Sequence, residues 1–122
     1  MARTPTLIPA ERSARAPASA RAIQALSLEG SGVWLVVPCY RVRGHILRVI
    51  RKAPAWIEGI VCVDDACPEN SGDFIEAEAN DPRVTVIRLA KNQGVGGATL
   101  AGYAEAVRLG ARVLVKVDGD DQ

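Results

Sequence analysis

The sequence predicts an α/β protein built on a mainly parallel sheet, and three observations carry that reading. From Val33 onward, four short apolar runs alternate with polar segments of helical periodicity, in the order β-α-β-α-β-α-β. The runs show little alternation of apolar and polar residues, as expected for strands covered on both faces. Strands that succeed one another through helical crossovers lie parallel, with right-handed connections.

Each element has its own justification. "VWLVV" (33–37) is rich in β-branched residues and is the first strand. Gly44–Lys52 follows as a helix that brings Ile46, Val49 and Ile50 onto one side. "GIVCV" (59–63) is the second strand, and Gly72–Ala79 the second helix, with Phe74, Ile75 and Glu78 on neighbouring turns. "VTVI" (84–87) is the third strand. Gly96–Leu109 places Leu100, Tyr103, Ala104 and Val107 at the i, i+3, i+4, i+7 spacing of a core-facing stripe, and Gly110 closes that helix. "VLVKV" (113–117) is the last strand.

The chain has 122 residues, room for one domain. Its 48% hydrophobic content supports a core, and 4% aromatic content means that aliphatic side chains build it. Residues 1–32 read differently from the rest. They carry four arginines against two glutamates, with prolines at 5, 9 and 17, and are expected to form a disordered Arg/Ala/Pro-rich tail. A short helix over Ala20–Leu28 fits before "EGSG" breaks the chain, and the composition also overlaps that of organelle-targeting peptides, against which the proline density argues. A net charge of +1 gives no reason to expect nucleic acid as a partner. Cys39, Cys62 and Cys67 contain no Cys-x-x-Cys pair, so they suggest neither a disulfide framework nor a zinc site, and a reducing cytoplasm suits them. No apolar run approaches the ~20 residues of a membrane helix.

Ligands of open parallel sheets bind beyond the carboxyl ends of the strands. All the chemically suggestive stretches fall there: "PCYR" (38–41), "DDACPENSG" (64–72), "KNQGVGGA" (91–98) and "DGDDQ" (118–122). Adjacent carboxylates at Asp64 and Asp65 repel and resist desolvation, so one should accept backbone N–H bonds while the other faces a ligand, such as the N–H edge of a nucleobase. A turn leading to a helix cap is the alternative. Gly94, Gly96 and Gly97 open a helix whose free N–H groups can face an anion, or they serve turn geometry alone. Asp118 and Asp120, separated by glycine and followed by Gln122, present oxygen donors suited to Mg²⁺ or Mn²⁺; a solvated acidic terminus is the other reading.

Taken together, "VVPCYR", "VDDACPENSG", "NQGVGGA" and "KVDGDDQ", in this order and spacing, resemble the donor-binding half of family 2 glycosyltransferases, and among them the polyprenyl-phosphate sugar transferase type. The resemblance covers residues 33–122. It implies a GT-A, Rossmann-like fold and a nucleoside-diphosphate sugar, UDP- or GDP-linked, as donor. It places Pro38 and Tyr40 beside the nucleobase, Asp65 as acceptor of the ring N–H, Asp64 in support of that loop, and Gly94 and Asp118 among the donor contacts. Asp118, Asp120 and Gln122 take the metal, Asp120 as the more direct ligand. No residue of the chain is assigned as catalytic base. A polyprenyl phosphate is the implied acceptor, at the cytoplasmic face of a membrane in a full-length protein. One departure is "DDACPENSG" in place of the commoner Asp-Asp-Gly-Ser type turn. The other is the end at Gln122, from which a fragment truncated after the acidic motif, inactive alone, is expected. Two rivals stand beside the enzyme: a non-catalytic nucleotide-binding module, and a flavodoxin-like receiver, which would carry its acidic pair after the first strand.

Overall fold

The computed structural model describes residues 30–119. Most of the expected tail and the residues Asp120, Asp121 and Gln122 lie outside this range. The element order is β1 (Val33–Cys39), α1 (Ile46–Lys52), β2 (Gly59–Asp64), α2 (Ser71–Glu78), β3 (Val84–Arg88), α3 (Gly94–Arg108) and β4 (Val113–Lys116). All three strand pairings are parallel, and the order across the sheet is β3-β2-β1-β4.

Parity along the strands divides the core into two. Leu35, Val37, Cys39, Ile60 and Cys62 point to one face, where they meet Ile46, Val49 and Ile50 of α1 and Ile75 of α2. Val36, Val61 and Val63 point to the other, under Ala98 and Ala106 of α3. β2 is buried along its whole length, whereas β4 at the edge is largely exposed. The absence of alternation is therefore a property of the central strands, whose two faces are both covered.

On α3 only Tyr103 of the expected stripe packs against the core. Leu100 is 68% exposed and Val107 58%, whereas the buried residues are Ala98, Gly102 and Ala106. The reason is steric. A Cβ at Gly102 would lie 2.3 Å from Cγ1 of Val36 and 2.9 Å from Cγ2 of Val63, so the helix approaches the sheet too closely for large side chains. Small residues at i, i+4, i+8 form the true contact face, and periodicity scored on large apolar residues selects its opposite. At its C-terminus Gly110 follows the cap residue Leu109 with φ +108, the left-handed conformation that ends helices.

The helical connections bring the carboxyl ends of the four strands to one edge of the sheet. Proline in a central strand needs a place where its missing N–H is not wanted. Val36 faces β4, accepting a bond from the N–H of Val117 at 2.9 Å, and Pro38, two residues on, faces the same way. β4 ends at Lys116, opposite Val36, so Pro38 stands just beyond the ladder. The chain after β4 crosses here: Gly119 is buried, and a Cβ on it would lie 3.1 Å from the carbonyl oxygen of Pro38.

Candidate functional site

Asp64 is the last residue of β2 and Asp65 continues the sheet by one bond, its N–H donating to the carbonyl of Cys39 at 3.1 Å. Both are buried, with exposures of 6% and 4%. Asp64 spends both oxygens internally: Oδ1 accepts the N–H of Cys67 and Oδ2 the N–H of Gly72, each at 2.8 Å. Gly72 can come this close because it has no side chain; a Cβ there would lie 2.9 Å from the same Oδ2. The Asp64 carboxylate thus holds the β2–α2 loop in place.

Asp65 is wired to a different loop. Its Oδ1 accepts the N–H of Gln93 at 2.7 Å, and its backbone carbonyl accepts Nδ2 of Asn92 at 3.1 Å. Its Oδ2 has no hydrogen-bond partner among the described residues. Gly94 opens α3 with φ +78 and is exposed, and its N–H donates to Oδ1 of Asn92 at 3.1 Å. The glycine-containing turn after β3 is thereby tied to the acidic pair after β2.

Cys67 joins the β1 and β2 ends. Its Sγ accepts the N–H of Arg41 at 3.1 Å, the N–H of Glu69 at 3.3 Å and the hydroxyl of Ser71 at 3.2 Å. Burial alone would push this thiol up; the Ser71 hydroxyl and the backbone N–H groups of Arg41, Glu69 and Ser71 outweigh it and hold the group below the ordinary thiol range. Burial of Cys39 and its hydrogen bond with Cys62 act oppositely, the hydrogen bond first, and keep Cys39 well above that range. Sequence reasoning did not single out Cys67. The signal was its place in "DDACPENSG", where the resembling turn carries serine, another side chain able to accept these bonds.

The loops that meet at Cys67 contain strain. Arg41, Ala66 and Asn70 have φ of 58, 55 and 54. Asn tolerates this conformation, but a Cβ in it costs about 1–2 kcal/mol for most residues. Ala66→Gly should therefore stabilise the domain by about 0.5–1 kcal/mol after the added freedom of the unfolded chain is deducted. An unchanged urea midpoint would show that the Ala66 turn is unstrained.

Pro38 is half-buried, and Tyr40 is 43% exposed with the Arg41 guanidinium 5.5 Å from its ring centroid. Asp118 is exposed, and Nζ of Lys116 donates to its Oδ1 at 2.7 Å. Among the described residues no three His, Cys, Asp or Glu side chains gather where a metal could sit. The structure thus links Asp65 to Gly94 through Asn92, ties Asp64 to the β2–α2 loop, and places Pro38 against the chain that follows Asp118. Asp120 and Gln122 lie outside the described residues. An apolar groove of about 290 Å³ between α1 and β4, lined by Val33, Leu35, Val49, Trp56, Val115 and Val117, has Asp118 at its rim and includes neither Asp64 nor Asp65. No helix among the described residues is long and apolar enough to cross a membrane.

Comparison with known proteins agrees with this architecture. Over 62 residues the chain is 39% identical to an undecaprenyl-phosphate mannosyltransferase of Micrococcus luteus, covering 50% of this chain and 26% of that protein. Over 104 residues it is 30% identical to a UDP-N-acetylglucosamine–dolichyl-phosphate N-acetylglucosaminyltransferase of Methanococcus voltae, covering 74% and 41%. The chain thus spans less than half the length of either relative. Crystal structures of S. aureus TarS 1-349, in complex with UDP and with UDP-GlcNAc, superpose with TM-scores of 0.55 and 0.54 at 21% and 23% identity, over 72% of this chain and 27% and 26% of theirs. The fold is that of the GT-A glycosyltransferases. Residues 34–122 match the family described as Glycosyl transferase family 2, and the chain belongs to it.

Proposed function

We propose that this chain forms the donor-binding part of an inverting, metal-dependent glycosyltransferase that takes a UDP- or GDP-sugar and delivers the sugar to a polyprenyl phosphate. The observation that carries the reading is the division of labour in the buried acidic pair: Asp64 is consumed by two N–H groups, while Asp65 keeps Oδ2 unpartnered among the described residues. Uracil and guanine both present a ring N–H that such an oxygen can accept, and a charged acceptor makes that bond stronger than a neutral one. Pro38 and Tyr40 flank the base, and the first turn of α3, starting at Gly94, faces the phosphates.

Asp118, with Asp120 and Gln122, would hold Mg²⁺ or Mn²⁺; their hard oxygen donors suit either ion. When bound, that ion neutralises charge on the departing diphosphate. Lys116 bonds Oδ1 of Asp118 at 2.7 Å, which leaves Oδ2 to meet a metal. The names of the two relatives support a polyprenyl-phosphate acceptor and, in one, a UDP-sugar donor. The three free cysteines support a reducing compartment, and such an acceptor would place the full protein at the cytoplasmic face of a membrane.

Titration calorimetry with UDP and GDP, each with and without Mn²⁺, tests this. At least one nucleotide should bind, and more tightly with the metal. A folded chain that binds neither would sink the proposal.

A further inference from the structure

Asn92 has no assigned role, yet its carboxamide is the only described side chain that bonds both to the acidic pair and to the start of α3. Its Nδ2 donates to the carbonyl of Asp65 at 3.1 Å, while its Oδ1 accepts the N–H of Gly94 at 3.1 Å. Between these two bonds, the N–H of Gln93 is delivered to Oδ1 of Asp65 at 2.7 Å. The three contacts form one unit. Asn92 fixes the turn, the turn presents the Gln93 N–H, and that N–H fixes the rotation of the Asp65 carboxylate.

We infer that Asn92 is a positioning residue for nucleobase recognition: it orients Asp65 so that Oδ2 meets the ring N–H. This rests on the donor-site reading proposed above and extends it to a residue that touches no ligand. A carboxylate free to rotate spreads its lone pairs over many directions, whereas one held through Oδ1 offers Oδ2 in a single direction. An amide is required at position 92 because one end must donate and the other accept. The glycine-containing turn that the sequence suggests as a phosphate loop thus also serves the base, through its first residue.

The decisive variant is Asn92→Asp. It keeps an acceptor for the Gly94 N–H, and a carboxylate before a helix N-terminus is favourable, which offsets part of the lost bond, so the chain should still fold, as a cooperative melting curve checks. It removes the donor and sets a charged oxygen against the Asp65 carbonyl. Calorimetry compares UDP with 3-methyluridine diphosphate, and GDP with 1-methylguanosine diphosphate; each methylated nucleotide lacks the ring N–H. The parent should prefer its unmethylated nucleotide by about 30-fold, the scale of a hydrogen bond to a charged acceptor. In Asn92→Asp, and in Asn92→Ala where that variant folds, the preference should fall to about threefold or less; the charge added in Asn92→Asp lies beside the phosphate-facing turn and weakens every diphosphate alike, so the ratio of unmethylated to methylated affinity is the readout. Equal weakening of the methylated and unmethylated ligands would show a general structural role and overturn the inference, as would an unaltered preference. A parent that binds no nucleotide would overturn the donor-site reading itself, a result visible before any variant is measured.

Discussion

Asp65→Asn is expected to weaken binding of the preferred nucleotide by about 10–100-fold, the scale of a hydrogen bond to a charged acceptor, while leaving the fold intact. The amide oxygen can still accept from Gln93, as Oδ1 does at 2.7 Å, but the other position becomes an NH₂ group facing the ring N–H, donor against donor. Asp64→Asn should do the reverse. Both Asp64 oxygens already accept backbone N–H bonds, so an amide there must turn its NH₂ group toward the N–H of Cys67 or Gly72. Leaving one buried donor unsatisfied costs about 1–3 kcal/mol, and that loss should appear in the thermal midpoint first, with a smaller change in nucleotide affinity. Calorimetry and melting curves on both variants separate the two roles. Equal nucleotide affinity in the parent and both variants would remove Asp65 from base recognition.

Gly102→Val should be the most damaging single change in the helical layer. Its Cβ would sit 2.3 Å from Cγ1 of Val36, a fully buried, β-branched side chain with little freedom to move away. Separating α3 from the sheet enough to admit the new side chain should cost about 3 kcal/mol, near the upper end for overpacked cores. For a domain of this size that lowers the melting temperature by roughly 15 °C. Leu100→Glu is the control. It lies on the exposed side of the same helix, and surface changes of this kind usually stay within ~0.5 kcal/mol. A Gly102→Val melting temperature equal to the parent's would refute the close approach of α3.

The strands were legible because a buried parallel strand is written locally: "GIVCV" is apolar throughout and is buried throughout. The helix face was not, because Ala98, Gly102 and Ala106 owe their burial to Val36 and Val63, which lie elsewhere in the sequence. The same distinction governs the site. Strand ends could be read as the place where function-like residues gather, and the division of Asp64 and Asp65 into a supporting and a presenting carboxylate follows from the cost of burying two neighbouring charges. Which backbone groups satisfy Asp64, and how Asn92 reaches Asp65 across 27 positions, depends on loop conformations with no periodic signature. Cys67 was hidden for a different reason: its spacing from the other cysteines suggests nothing, and its bonds to Arg41, Glu69 and Ser71 exist only in the folded loop.

The strand order β3-β2-β1-β4 also has a kinetic side. β1 to β3 pair with near neighbours in the chain, but Val33 pairs with Val113, eighty positions later, and closing so long a loop is entropically slow. The pairing of β4 should be the late event in folding, and on a ribosome it must wait until nearly all of this sequence has emerged. Asp118 lies two residues beyond β4, so its carboxylate reaches the strand-end edge only after that pairing forms. The bonds that hold Asp65 can form earlier, so under the function proposed above the groups assigned to the nucleobase would be in place before those assigned to the metal and the diphosphate.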